Sequence, residues 1–304
     1  MRAASVLFLA LLTLAFLTLA VLTPATARAG LPGITSSASK SAPGGAPIGL
    51  PPLPAAPSQA PAAQPPAPVV PEYRPQIQGR PTKSLSEADA VTGAMTSYGS
   101  GGGGMRDLMC GCSFKYDPMR QISIVNRPSC GYVPRVEGPD ANLVTWRRIV
   151  QPRILARGRA CWTQGHPACE VSGSRYAGER CCMEVDEEFR GMMSDIYNFA
   201  PFIKEIDGAV GDARYAEIPG TNQLFGSCPV EYDAKAGIVE PSPAARGEIA
   251  RVHLYMNRTW SLPLSDLEFQ QFRKWSEDSP ATAADQRRMR AIQHLQGNTN
   301  PFVK

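Results

Sequence analysis

Five arginines, Arg147, Arg148, Arg153, Arg157 and Arg159, fall within thirteen positions that contain no Asp or Glu. Planar guanidinium forks pair bidentately with phosphate oxygens, so this run is the strongest candidate for holding a polyanion. A solvated or acid-paired face is the alternative, because no aromatic residues alternate with these arginines to stack bases. There are three histidines in the chain. His166, beside Pro167, has the context of a surface turn, while His253 and His294 fall inside helical patterns as packing or surface residues. All eight cysteines lie between Cys110 and Cys228. Cys110-Gly111-Cys112 and the adjacent Cys181-Cys182 lack the paired two-residue spacers of structural zinc sites, so the even count reads as four disulfides.

The elements that must position these residues are legible in the same stretch. Between Cys110 and Trp162 the pattern is short and β-branched, and Ile122-Ser123-Ile124-Val125 and Ile149-Val150 predict strands. Further on, Glu187 to Tyr197 puts Phe189, Met192, Met193 and Ile196 on one helical face, with Asp186, Glu187 and Glu188 at its positive end. Ser242-Pro243 starts a second helix with an Ile249, Val252 and Met256 stripe. Ser265 with Glu268 forms a capping box before Phe269, Phe272 and Trp275, and Met289, Ile292 and Leu295 predict a last helix stopped by Gly297. Strands first and helices later are an α+β order.

The N-terminal third has a different composition. Residues 1–29 carry Arg2, an apolar run from Ala3 to Leu22, and Ala27-Arg28-Ala29, the features of a signal peptide. An uncleaved membrane anchor is the alternative, since about 20 apolar residues can span a bilayer. Residues 30–105 are rich in Pro, Ala, Gly and Ser and end in a glycine run from Gly101 to Gly104. Such a composition buries too little apolar surface to offset its ordering entropy, so a flexible tether is expected there and a folded domain over 106–304. The net charge of +4 is too small to prove nucleic-acid binding by itself.

From Arg106 to Lys304 the chain resembles the endonuclease I family of secreted or periplasmic nucleases. The resemblance rests on an ordered series: Cys110-Gly111-Cys112, Ser129-Cys130-Gly131-Tyr132, Cys161-Trp162, and Asp195-Ile196-Tyr197-Asn198-Phe199-Ala200-Pro201. Arg246-Gly247-Glu248-Ile249-Ala250-Arg251 and the terminal Gln296-Gly297-Asn298-Thr299-Asn300-Pro301-Phe302 are the most specific matches.

This resemblance implies a ββα-metal (His-Me finger) core. In such a core a β-hairpin supplies a histidine as general base, a helix supplies an asparagine, and one divalent cation lies between them. The family places the histidine beside a metal-binding glutamate, after Trp and before Val-Val-Pro. Here the segment reads Trp146-Arg147-Arg148-Ile149-Val150-Gln151-Pro152. Arg147 therefore stands where the glutamate is expected and Arg148 where the base is expected. A guanidinium stays protonated and has no lone pair with which to activate water, and base catalysis is typically worth about 10²–10⁴-fold. A charge of the wrong sign near the cation costs on the order of 4 kcal/mol at about 4 Å and an effective dielectric near 20. Gly165-His166-Pro167 also replaces a Gly-Arg-Lys that supplies a phosphate-contacting arginine. Asn198 is what remains of the group, as a vestigial metal ligand or as a residue holding its helix end.

The expectation is a degenerate, catalytically inactive nuclease without a cofactor, acting as a nucleic-acid-binding or structural component. One rival is an active Mg-dependent endonuclease that recruits His166 with Glu184 or Asp195. The other is a protein-binding component of an envelope or secretion assembly. The expected partners are DNA or RNA through backbone phosphates, with an envelope protein as the alternative and the membrane only if the N-terminal segment stays uncleaved. The expected location is the periplasm or the medium.

Overall fold

The computed structural model describes residues 79–102, 104–220 and 222–304. The expected leader, residues 1–29, and most of the expected tether, residues 30–105, lie outside the described residues. Described secondary structure begins before residue 106, within the stretch expected to be tether. Helix α1 (Glu87–Gly99) starts at a capping box between Ser86 and Asp89 and buries Ala90, Gly93, Ala94 and Ser97. Those side chains are so small that the segment lacks the apolar periodicity by which a buried helix is normally read. Smallness is what the packing needs here, because a Cβ on Gly93 would lie 2.7 Å from Ile196 Cδ1.

Strands β1 (Phe114–Asp117), β2 (Ile122–Val125) and β3 (Leu143–Arg148) lead, through the short helices α2 (Pro152–Leu155) and α3 (Ala160–Thr163), to the two-stranded ribbon β4 (Glu170–Val171) and β5 (Ser174–Arg175). The third strand thus ends before Ile149-Val150, which was expected to be strand. Its ladder stops because Asn198 takes the next two amides, the carbonyl accepting from Ile149 N at 2.7 Å and the side-chain oxygen from Val150 N at 2.7 Å. Helices α4 (Glu179–Val185) and α5 (Glu187–Met193) follow, then strand β6 (Phe199–Ile203) and helix α6 (Lys204–Val210). The helix expected to reach Tyr197 stops at Met193. Asp195 then caps a separate 3-10 turn by accepting from Tyr197 N at 3.0 Å.

The main sheet has the order β1-β2-β3-β6, with each neighbouring pair antiparallel. Pro201 is tolerated in β6 because that strand is an edge, and its carbonyl accepts from Leu108 N at 2.7 Å. Strands β7 (Arg214–Tyr215), β8 (Glu231–Asp233) and β9 (Ile238–Glu240) form a second small sheet. The chain closes with α7 (Pro243–Trp260), α8 (Asp266–Asp278) and α9 (Ala283–Gln296). Ser265 and Glu268 form the predicted capping box, and Gly297 stops α9 with a φ of 87°. The fold is α+β.

At the centre, the fully buried Asp195 carboxylate accepts from Tyr255 OH at 2.7 Å, Trp260 Nε1 at 2.8 Å and Gln296 Nε2 at 3.0 Å. Asn298 and Asn300, both buried, bind the Tyr255 hydroxyl and the Arg251 carbonyl and so lock the C-terminus in place. Disulfides join Cys110 to Cys228, Cys112 to Cys130, Cys161 to Cys182 and Cys169 to Cys181. No helix among the described residues is long and apolar enough to cross a membrane.

Candidate functional site

Strands β3 and β6 with helix α6 make the ββα unit that sets the site. The register pairs Trp146 with Pro201, Arg147 with Ala200 and Arg148 with Phe199, so the two arginines leave the end of β3 on opposite faces. Arg147 turns to α6. Its guanidinium is ion-paired with Asp207, donates to the Asp207 carbonyl at 3.2 Å and to the Gly211 carbonyl at 2.9 Å, and lies 5.7 Å from the Phe202 ring centre. These carbonyls belong to the last turn of α6 and its C-cap, where the helix dipole favours a cation. Burial lowers the Arg147 pKa while Tyr215 and Asp212 raise it, and arginine remains charged throughout the accessible pH range.

Arg148 turns the other way. Its Nε donates to the Met193 carbonyl at the end of α5 at 2.8 Å, its guanidinium lies 4.8 Å from the Phe199 ring centre, and Nη2 is 2.9 Å from Glu87 at the start of α1. The side chain is only 10% exposed. The position where the resemblance expects a base that activates water is filled by a cation clamping three elements together. Glu87 and Asp207, the acids that receive the two arginines, carry no signal in the sequence. They lie on distant helices, and only the fold brings them to β3.

Asn198 is fully buried, and its side chain is spent on the backbone of Val150, accepting from N at 2.7 Å and donating to O at 3.0 Å. The structure uses it as a clamp across the end of the hairpin. A divalent cation needs several anionic or neutral donors converging on one point. Here two cations hold the hairpin positions, and no group of three or more His, Cys, Asp or Glu side chains suited to a metal occurs among the described residues. A guanidinium offers no lone pair to a metal, so Arg147 and Arg148 supply no donor to a divalent ion at the hairpin positions.

Two of the remaining arginines of the run are committed as well. Arg157 makes a bidentate pair with Glu268 at 2.8 and 3.0 Å, and Arg159 bridges Asp186 and Glu188. Arg153 donates to the Asp212 carbonyl at 3.0 Å, with the Asp212 carboxylate 4.0 Å away and its own side chain 57% exposed. The run is therefore an acid-paired face, with all the acids coming from elsewhere in the chain.

His166 is exposed, and its Nδ1 accepts from Ala168 N at 3.1 Å within its own turn. Of the acids considered with it, Glu184 is bound by Tyr176 and Arg180, and Asp195 is sealed in the core. His253 is buried and stacks on Phe272 at 4.1 Å, with Nδ1 at 2.8 Å from the Ile249 carbonyl. Burial pushes its pKa down to about 4, against the opposing pull of that carbonyl. His294 is exposed on α9.

A family model described as Endonuclease I matches residues 158–304, a span that begins beyond Arg148. The chain is 31% identical over 194 residues to endonuclease-1 of Buchnera aphidicola subsp. Acyrthosiphon pisum, covering 64% of this chain and 72% of that protein. It is 32% identical over 196 residues to an extracellular deoxyribonuclease of Aeromonas hydrophila, covering 64% and 80%. A periplasmic deoxyribonuclease of the same organism is 31% identical over 196 residues, covering 64% and 76%. Identity at this level, over most of the length of those proteins and on a disulfide-linked ββα framework, places the chain in the endonuclease I family.

Proposed function

We propose that this chain is an endonuclease I scaffold that has lost phosphodiester hydrolysis and acts outside the cytoplasm as a binding or structural component. The observation that carries the reading is the direction of Arg148. Its guanidinium faces the Met193 carbonyl and Glu87, so it neither accepts a proton nor presents a lone pair to water. Arg147 adds a second fixed cation in place of a carboxylate. The extracytoplasmic location is supported by four disulfides, which persist in oxidising compartments, by relatives named as extracellular or periplasmic, and by the leader-like residues 1–29.

Relatives named as deoxyribonucleases act on DNA, and a residual affinity for nucleic-acid phosphates belongs to the same proposal. That affinity is weak, because four of the five arginines would first have to leave their acids. The test is incubation of the purified protein with plasmid DNA and RNA in magnesium or manganese. Intact substrate is expected from the wild type and from Arg148→His alone, with cleavage returning only when Arg147→Glu is combined with Arg148→His. Robust wild-type cleavage that disappears in His166→Ala would overturn the proposal.

A further inference from the structure

Residues 79–86 run as an irregular strap across the C-terminal end of α9 and into the start of α1. The backbone amides of Thr82 and Lys83 donate to the Gln296 carbonyl at 2.9 and 3.4 Å, and Lys83 Nζ donates to the His294 carbonyl at 2.9 Å. Arg80 lies 5.0 Å from the Trp260 ring centre, donates from Nε to the Thr259 carbonyl at 3.4 Å and is ion-paired with Glu188. The Gly79 carbonyl accepts from Asn298 Nδ2. Thr82 passes so close to Gly297 that a side chain at that position would collide with it. The strap covers Trp260, Gln296 and Asn298, all buried, and Trp260 and Gln296 are donors to the Asp195 carboxylate. None of its own eight residues is buried, and single polar contacts at the surface hold it in place.

A segment with exposed hydrogen bonds and no buried apolar side chain opens at a lower free energy than the packed domain beneath it. Its far end is fixed, because the Ser86–Asp89 capping box starts α1 and the buried Ala90 and Ala94 hold that helix in the core. We infer that residues 79–86 are a latch that detaches as a unit, hinged at Ser86, while the rest of the domain stays folded. Arg80 is the principal clasp, since one side chain supplies the ion pair, the ring contact and a hydrogen bond. Residues 80–86 also form one wall of a groove of about 820 Å³ whose other wall is α5, so an open latch widens that groove and bares Trp260. Opening further makes the chain cleavable between the domain and everything upstream of it. A protease must draw the segment into its own cleft, and a docked strap is not free to enter. For a protease that cuts after Lys or Arg the bond is Lys83–Ser84, hydrolysed by addition of water, because Pro75 and Pro81 block the bonds after Arg74 and Arg80. None of this depends on whether the domain hydrolyses DNA.

The experiment is limited trypsin digestion of the full chain at neutral pH. The fragment that begins at Ser84 is counted by mass spectrometry, and a synthetic peptide of residues 76–90 serves as the undocked reference. Wild-type cleavage after Lys83 is expected to be at least about 10-fold slower than cleavage of the peptide, with the domain otherwise intact. Arg80→Met keeps the stem and removes the charge, so it should speed that cleavage by about 5–30-fold. Cleavage of a rapidly opening segment follows its open population, and an exposed ion pair and a ring contact are lost together. Hydrogen exchange needs no variant: the Thr82 amide should exchange faster than the Ile196 amide, which donates to the Gln296 side chain in the core below. The inference is overturned if wild-type Lys83 is cut as fast as the peptide or if Arg80→Met is cut no faster than the wild type. It is equally overturned if Thr82 and Ile196 exchange together, since the strap would then leave only when the whole domain unfolds.

Discussion

Replacing Arg148 with methionine keeps the aliphatic stem and removes every polar contact of the guanidinium. Three contributions are lost. The bond to the Met193 carbonyl, at 2.8 Å, is a charged-group hydrogen bond worth about 1.5–3 kcal/mol. The contact with the Phe199 ring, at 4.8 Å on a side chain that is 10% exposed, contributes about 1 kcal/mol. The Glu87 pair, at 2.9 Å, is discounted to at most about 1 kcal/mol because Glu87 is 53% exposed. Contributions that share one side chain are not fully additive, which places Arg148→Met at about 3–4 kcal/mol of destabilisation. Urea unfolding at neutral pH measures it, and Glu87→Gln alone should cost no more than about 1 kcal/mol. In the double mutant the coupling between the two residues should recover most of the cost of Glu87→Gln, since the pair is already broken in Arg148→Met. A cost for Arg148→Met within about 0.5 kcal/mol of zero, the level of an ordinary surface change, would refute the clamp. If that variant bound DNA more weakly at the same time, the arginine would be serving phosphate instead.

His253 provides a pH test. Its folded pKa is lowered, so the stability it contributes is fully present above the unfolded value of 6.5 and is lost as pH falls towards about 4. At 1.36 kcal/mol per unit this amounts to about 3 kcal/mol, and His253→Gln should flatten the dependence in urea titrations between those limits. The disulfides should differ in value with the length of chain they close. Removing the Cys110–Cys228 pair, separated by 118 residues, should cost about 5 kcal/mol against about 3 for Cys169–Cys181, separated by 12, as measured by urea unfolding of Cys→Ala pairs. Equal costs for the two would contradict the loop-entropy account.

The two hairpin arginines form ties between elements. Arg148 links α1, α5 and β6, and Arg147 links β3 and α6. Each arginine has its own acid, so reversing one substitution leaves a carboxylate without a partner. Cleavage is expected to return only with both changes, because Arg148→His supplies a base and Arg147→Glu a carboxylate for the metal, and the loss of both ion pairs should make that return come at some loss of stability.

The sequence by itself determined whatever depends on local chemistry. The Ser265–Glu268 box and Gly297 mark helix ends because caps are short-range hydrogen bonds and backbone conformations, and both appear where the residues predict them. The ordered motifs identify the family, and a guanidinium cannot act as a general base whatever surrounds it. The tertiary structure decided what depends on which distant residue comes near. The arginine run looks like an unpaired basic strip because its acids, Glu87, Asp186, Glu188, Asp207, Asp212 and Glu268, all lie outside it. Helix α1 escaped the periodicity because a helix packed this closely buries Ala and Gly in place of large apolar side chains. The pairing of the cysteines, the clamp formed by Asn198 and the ties of Arg147 to α6 likewise belong to the fold, because each joins atoms that the chain itself holds many residues apart.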